Sequence, residues 1–287
     1  RFLAAAVALV LLDRSLMAYR WLVLLRPLAS TSHLSLRPVM RIFFVSTFVG
    51  TFLPASVGGD AVRAYGLARQ QVPAAAAVAS VFMDRMLGVL SVLLMAGVGL
   101  AFAADLAGNI YILAGLGVSI AACGLTAALV FSSTASRAAA RLADRAPWVA
   151  VSRIGHKLLA AIQSYANAHR ELLNVLAGSL AVQVLRIVQA YYLGRALGIA
   201  ASPAAYFAFV PLVLLVMLLP VTINGLGTSQ WAFVWLFARA GVGAAEAFAL
   251  SVLFVALGVV GNLPGALLYL TGGLHAPSPG RGAAGPV

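Results

Sequence analysis

The sequence predicts an all-α, polytopic membrane protein with about 6–8 transmembrane or re-entrant segments. Three observations predict it. Of 287 residues, 63% are hydrophobic and only 9% charged, where a soluble domain carries about 25% charged residues. The apolar stretches run for roughly 17–30 residues, the length a helix needs to cross a hydrocarbon core of about 30 Å. No stretch alternates with period two over about 10 residues, which argues against a transmembrane barrel. The mean hydropathy, +1.02, agrees.

The 19 basic residues outnumber the 7 acidic ones. In a soluble chain that excess would suggest nucleic acid. Here the arginines gather in a few connections, as positive-inside topology places them, so no nucleic-acid partner is expected. The single cysteine, Cys123, lies in an apolar run and supports neither a disulfide framework nor a thiolate metal site. The chain begins at Arg1 rather than Met, so residues upstream are expected; no cleavable signal peptide is recognisable.

In chain order the apolar segments are 2–25, 42–58, 74–103, 107–131, 173–198, 204–223, 226–240 and 244–271. The first carries Asp13, Arg14 and Arg20, and the seven-residue spacing of Asp13 and Arg20 reads as a packing pair. Two connections are basic: 26–41, with Arg26, Arg37 and Arg41, and 132–172, with Arg137, Arg141, Arg145, Arg153, Lys157 and Arg170. Both are assigned to the cytoplasm of a bacterial inner membrane. An even number of crossings must then separate them. Segments 74–103 and 107–131 supply two. The piece 59–73 holds Asp60, Arg63 and Arg69, too many charges for a span. Segment 42–58 must therefore enter and return on one side, with "FLPASVGGD" (52–60) at its turn. Broken backbone at that depth needs protein or a wet cavity around it. An ordinary kinked helix with a glycine cap fits the same residues.

"LLPVTINGLGTS" (218–229) repeats the pattern L-P-x-[ST]-x-x-G: Pro54 matches Pro220, Ser56 matches Thr222, and Gly59 matches Gly225. "ARQQV" (68–72) similarly matches "ARAGV" (238–242). The organisation predicted is one transmembrane domain, 1–271. Repeat one covers about 42–131, the basic connection 132–172, and repeat two about 173–271, with opposite orientation, as in secondary transporters. The connection is either an amphipathic basic helix pair or a solvated linker. The Gly/Pro-rich tail 272–287 is predicted to be disordered.

The blocks "FLPASVGGDAVRAYGLAR…VFMDRMLG" and "LPVTINGLGTSQWAFVWLFARAGV…NLPGALLYL" resemble the lysylphosphatidylglycerol synthase transmembrane family, over about Asp13 to Tyr269. The resemblance implies a flippase-like membrane protein acting on lipid. Its members include the flippase half of bacterial multiple peptide resistance factors and stand-alone proteins, some linked to polyprenyl-lipid or hopanoid pathways. Members commonly carry Gly-Glu where this chain has Gly59-Asp60, and Glu-Arg where it has Asp84-Arg85; both departures keep the charge. The aminoacyl-transferring soluble domain is not in this sequence, and the family's usual first helix is expected to lie outside it.

Charges within spans cost about 2.5–3.5 kcal/mol at helix centre on insertion scales, so the few present are the candidates. Ser80, Asp84, Gly88 and Ser91 share one face of 74–103, as the wall of a headgroup path or as packing, with Asp84–Arg85 a local ion pair. Ser179, Gln183, Arg186 and Gln189 form a stripe on 173–198. Arg186 there suits a phosphate, or else a pairing with Asp60 or Asp84. Arg63 follows Gly58 and Gly59, which admit a close backbone approach or positive φ. Asp60 is expected to cap a helix, and Thr228 or Ser229 to cap its counterpart. The predicted substrate-binding set is Ser56, Gly58, Gly59, Asp60, Arg63, Asp84, Arg85, Gln183, Arg186, Thr222, Asn224 and Gly225. Gly258, Gly261 and Gly265, with Pro264, read as close helix packing, and Gly99 as a packing glycine that tolerates alanine. No HExxH, GxSxG or P-loop is present, and no histidine pair has ligand spacing. No catalytic residue, metal or cofactor is therefore expected.

The function expected is movement of an anionic or polyprenyl-phosphate-type lipid between leaflets. A small-solute secondary transporter and a membrane-embedded transferase acting on a lipid carrier are the alternatives. A membrane lipid is the expected partner. A second copy of the chain and a lipid-synthesising enzyme are left open as protein partners.

Overall fold

The computed structural model describes residues 1–31, 34–53, 57–103, 108–144, 149–218 and 226–271. Pro54 and Ser56 of the first motif, Pro220, Thr222, Asn224 and Gly225 of the second, and the tail 272–287 lie outside the described residues. The described residues form eleven α-helices and no strand. They are α1 (Phe2–Leu25), α2 (Leu36–Phe52), α3 (Val57–Ala68), α4 (Ala74–Phe102), α5 (Ile110–Phe131), α6 (Ser133–Asp144), α7 (Val149–Gln163), α8 (His169–Ala196), α9 (Pro203–Met217), α10 (Thr228–Phe237) and α11 (Ala244–Leu270).

Five of them, α1, α4, α5, α8 and α11, are long and apolar enough to cross a membrane. The other apolar helices are not: α2, α3, α9 and α10 hold 17, 12, 15 and 10 residues. At a rise of about 1.5 Å per residue the longest reaches about 25 Å, short of a core of about 30 Å. They pair instead as two antiparallel hairpins. In the first, a Cβ on Gly66 of α3 would meet the Ile42 side chain of α2 at 2.7 Å, and one on Gly59 would meet the Ser46 carbonyl at 3.0 Å. In the second, Tyr206 and Phe209 near the start of α9 meet Phe237 at the end of α10, edge to face. Ser202 starts α9 by accepting the Ala205 N–H, and Pro203 follows where a missing N–H costs nothing.

The hairpins open towards opposite ends of the molecule. Val39, Ile42, Leu67 and Val72 join one apolar cluster with Trp21, Leu24, Leu25, Leu28, Val130, Ile162 and Tyr165. Tyr206, Phe237 and Val242 join the other, with Ala6, Ala103, Leu193 and Ile199. Both basic connections therefore sit at one end. The Tyr165 hydroxyl, fully buried, ties the second connection to the Leu24 carbonyl of α1 at 2.9 Å. The connection is a helix pair, α6 and α7, rather than a plain linker.

Helix packing is unchanged when α1, α2, α3 and α4 are exchanged with α8, α9, α10 and α11. Thus α2 packs on α11 as α9 packs on α4, and α1 packs most extensively on its own counterpart, α8. Those two run antiparallel: Phe2 stands against Tyr192, and Arg20 donates to Ser179. The glycines of α11 do mediate close packing. A Cβ on Gly261 would meet Val10 at 2.7 Å, and one on Gly265 would collide with the Phe44 carbonyl. Gly99 behaves differently from expectation: its Cβ would lie 2.5 Å from the Ala208 carbonyl oxygen, so α4 and α9 leave no room for alanine.

Candidate functional site

The tips of both hairpins border one cavity of about 450 Å³. The first contributes Thr47, Gly50, Gly59 and Asp60, the second Leu214, Met217 and Leu226. Helices α1, α4, α8 and α11 close the remainder, with Asp13, Arg14, Arg85, Arg186, Gln189 and Asn262. The site thus lies between the two hairpins, among α1, α4, α8 and α11.

Its charges form three clusters. On the first, Asp84 accepts from Arg20 Nη2 at 2.6 Å and Nε at 3.1 Å, and from Arg63 Nη1 at 2.8 Å. All three side chains are buried. The Arg63 guanidinium also lies 5.0 Å from the Trp21 ring and 4.7 Å from the Phe43 ring, so cation–π contact holds it in place. The second cluster is a two-point pair: Arg85 donates to Asp60 at 2.7 and 3.1 Å, and the Arg85 side chain is 43% exposed. In the third, Asp13 faces Arg14 at 3.2 Å and Arg186 at 3.5 Å.

These pairings correct four sequence expectations. Asp84 and Arg85 are not a local pair, because adjacent helical residues point about 100° apart and meet different neighbours. Asp13 pairs with Arg14 and Arg186 rather than with Arg20, which Asp84 takes. Arg186 is tied to Asp13, not to Asp60 or Asp84. Asp60 lies in the first turn of α3 and is held by Arg85; the helix already begins at Val57. The glycine expectations also change. Among the described glycines, positive φ occurs at Gly198, Gly227 and Gly241, so Gly59 serves by close approach alone. At α10 the cap is Gly227, whose N–H donates to Gln230 Oε1 at 2.6 Å; Thr228 and Ser229 are already inside the helix.

Of the predicted substrate-binding residues, Gly59, Asp60, Arg63, Arg85 and Arg186 border the cavity. Gly58, Asp84 and Gln183 do not. Gly58 abuts Leu53, Asp84 backs Arg63, and Gln183 donates to Ser91 at 3.0 Å. The face of Ser80, Asp84, Gly88 and Ser91 looks onto α1 and α8, where Ser80 accepts from Trp21, rather than onto a path. Ser56, Thr222, Asn224 and Gly225 are outside the described residues. Sequence reading left Arg14, Gln189 and Asn262 out of the site. Asn262, a lone amide in apolar α11 that donates to Thr51 at 2.8 Å, was the signal available. Among the described residues no group of His, Cys, Asp and Glu is gathered to hold a metal.

Fold and site together define a multi-pass, all-helical membrane protein with an arginine-lined cavity inside its helix bundle. The chain belongs to the lysylphosphatidylglycerol synthase TM region family, which it matches over residues 1–265. No match is found among curated proteins or among solved structures.

Proposed function

We propose that the protein moves an anionic or polyprenyl-phosphate-type lipid between membrane leaflets. Family membership supports a membrane lipid-related role. The observation that carries the finer reading is the cavity: four arginines against two aspartates, enclosed by helices that otherwise suit hydrocarbon. A guanidinium at that depth needs an anion, and phosphate matches its fork. The hairpins are re-entrant in this reading, and the two four-helix units are an inverted repeat. The exchange-invariant packing, the antiparallel α1 and α8, and hairpins that open to opposite ends support it. The basic connections, gathered at one end, are assigned to the cytoplasmic face of an inner membrane.

A lipid is favoured over a small solute because apolar cavity residues also reach the outer surface: Leu226 is 54% and Val259 40% exposed. A headgroup enters there while its tail stays in the bilayer. Transport is favoured over catalysis because the carboxylates near the cavity, Asp13, Asp60 and Asp84, are each engaged by arginine. None is left poised as a general acid or base.

The test is translocation of a fluorescent phosphodiester lipid and of a fluorescent polyprenyl-phosphate-type phosphomonoester in proteoliposomes. The protein is expected to speed at least one of them beyond protein-free vesicles, and Arg186→Ala to slow it while melting as the parent does. No acceleration of either by the parent overturns the function. Unchanged transport in folded Arg186→Ala removes Arg186 from the site.

A further inference from the structure

We propose that the cavity is matched to a group with two negative charges, a phosphomonoester or diphosphate, in preference to a singly charged phosphodiester. This rests on the lipid-transport reading and narrows its substrate class.

The charge distribution around the cavity carries the inference. Asp60 and Arg85 cancel. Asp13 is shared by Arg14 and Arg186, which leaves one positive charge in excess. Asp84 is shared by Arg20 and Arg63, which leaves a second. Residues 54–56 and 219–225, outside the described part, contain no ionisable side chain. Two cations without counter-charge in apolar surroundings are matched by two negative charges on the ligand.

Unsatisfied donors point the same way. Arg14 Nε, Arg63 Nε and Gln189 Nε2 are buried without a hydrogen-bond partner, one in each over-charged cluster and one beside Arg186 on α8. Arg63 is 5% and Gln189 3% exposed, and both border the cavity. Arg63 has spent Nη1 on Asp84 and lies against two rings, which leaves Nε without a hydrogen-bond partner. Buried donors are ordinarily satisfied, and a tetrahedral phosphate with several oxygens can serve all three. The unpartnered acceptor Asn262 Oδ1 suits a hydroxyl group of the same ligand.

The test compares three probes on the full chain in detergent micelles: dioctanoyl phosphatidic acid, dioctanoyl phosphatidylmethanol, and tail-less glycerol 3-phosphate. The first two share tails and differ in charge. At about pH 8 the phosphomonoester is expected to bind at least about tenfold more tightly. That ratio should fall at about pH 5, where its second proton, with a pKa of about 6, returns. Arg14→Gln, or Arg186→Gln if the first does not fold, removes one excess charge and should shrink the ratio. Equal affinity of the two lipids in the parent protein overturns the inference and leaves lipid transport standing. Failure of both lipids to bind overturns both. Glycerol 3-phosphate binding as tightly as phosphatidic acid keeps the double charge and overturns the lipid reading.

Discussion

Gly50 and Gly59 bring the backbones of α2 and α3 into contact: a Cβ on Gly50 would lie 2.8 Å from the Gly59 Cα. Neither backbone can yield as a side chain would. Gly50→Ala should therefore cost about 1–3 kcal/mol, as overpacking does. Gly99→Ala should cost a similar amount, against Ala208. Gly97, with no atom within 4 Å of its Cβ position, should accept alanine without loss. Melting in detergent checks all three; equal melting of Gly50→Ala and Gly97→Ala would dismiss the hairpin contact. Gly59→Val, which also intrudes on the cavity border, should abolish lipid transport.

Asp84, which faces Arg20 of α1 and Arg63 of α3, and Asp60, which faces Arg85 of α4, differ in burial, and so should their neutralised variants. Asp84→Asn leaves Arg20 and Arg63 buried without a carboxylate, a loss of about 3–5 kcal/mol. Asp60→Asn releases only the half-exposed Arg85, for about 0–1 kcal/mol. A detergent melt in which Asp60→Asn is the more damaging would reverse the order of the clusters.

Sidedness is testable with single cysteines. Positions 26, 69 and 157 are exposed at the end that gathers both basic connections, and positions 195 and 239 are exposed at the other. Thr31, only 4% exposed, is unsuited to labelling. Impermeant maleimide should reach the first three from one face of the membrane and the last two from the opposite face. Reaction of position 69 from the face that labels position 239 would contradict the re-entrant hairpin.

Outside the spans, Asp144 accepts from His156 at 2.7 Å and from Ser152 at 3.2 Å, bridging α6 and α7. Chiefly the His156 hydrogen bond holds its carboxyl below the usual carboxylate value. A lowered folded value means the stabilisation is present above the unfolded pKa, about 3.9, and is lost as pH falls through the folded value. Spin labels on α6 and α7 should keep one separation from about pH 7 to pH 5 and spread only below about pH 4. Spreading already at pH 5 would show that a group other than Asp144 sets the pH dependence.

Much of the helical scaffold was readable from run length, because a helix that faces lipid must stay apolar for as long as it is immersed. The segments 2–25, 74–103 and 244–271 fall within a residue of α1, α4 and α11. Asp60, Arg63 and Arg69 marked the piece after 42–58 as a poor span, but that it folds as α3 against α2 is seen only in the structure. Arg63, Arg85 and Arg186 stood out because ionised groups are scarce in such segments, and the fold does bring all three to one cavity.

Which carboxylate each arginine meets was beyond reach of the chain read alone. An ion pair between Arg20 and Asp84, or Arg186 and Asp13, depends on which helices touch and how each is turned about its axis. Those quantities come from the packing of whole helices, α1 on α8 and α2 on α11, in which glycines such as Gly265 permit the approach. The same holds for the charge balance of the cavity. Arg14 looked like an incidental polar residue on α1, and Gln189 like one member of a polar stripe on α8, until those helices packed together and turned both to a shared space. Composition and periodicity act along one helix and so specify spans; shape, pairing and net charge of a site arise between helices and exist only once they are packed.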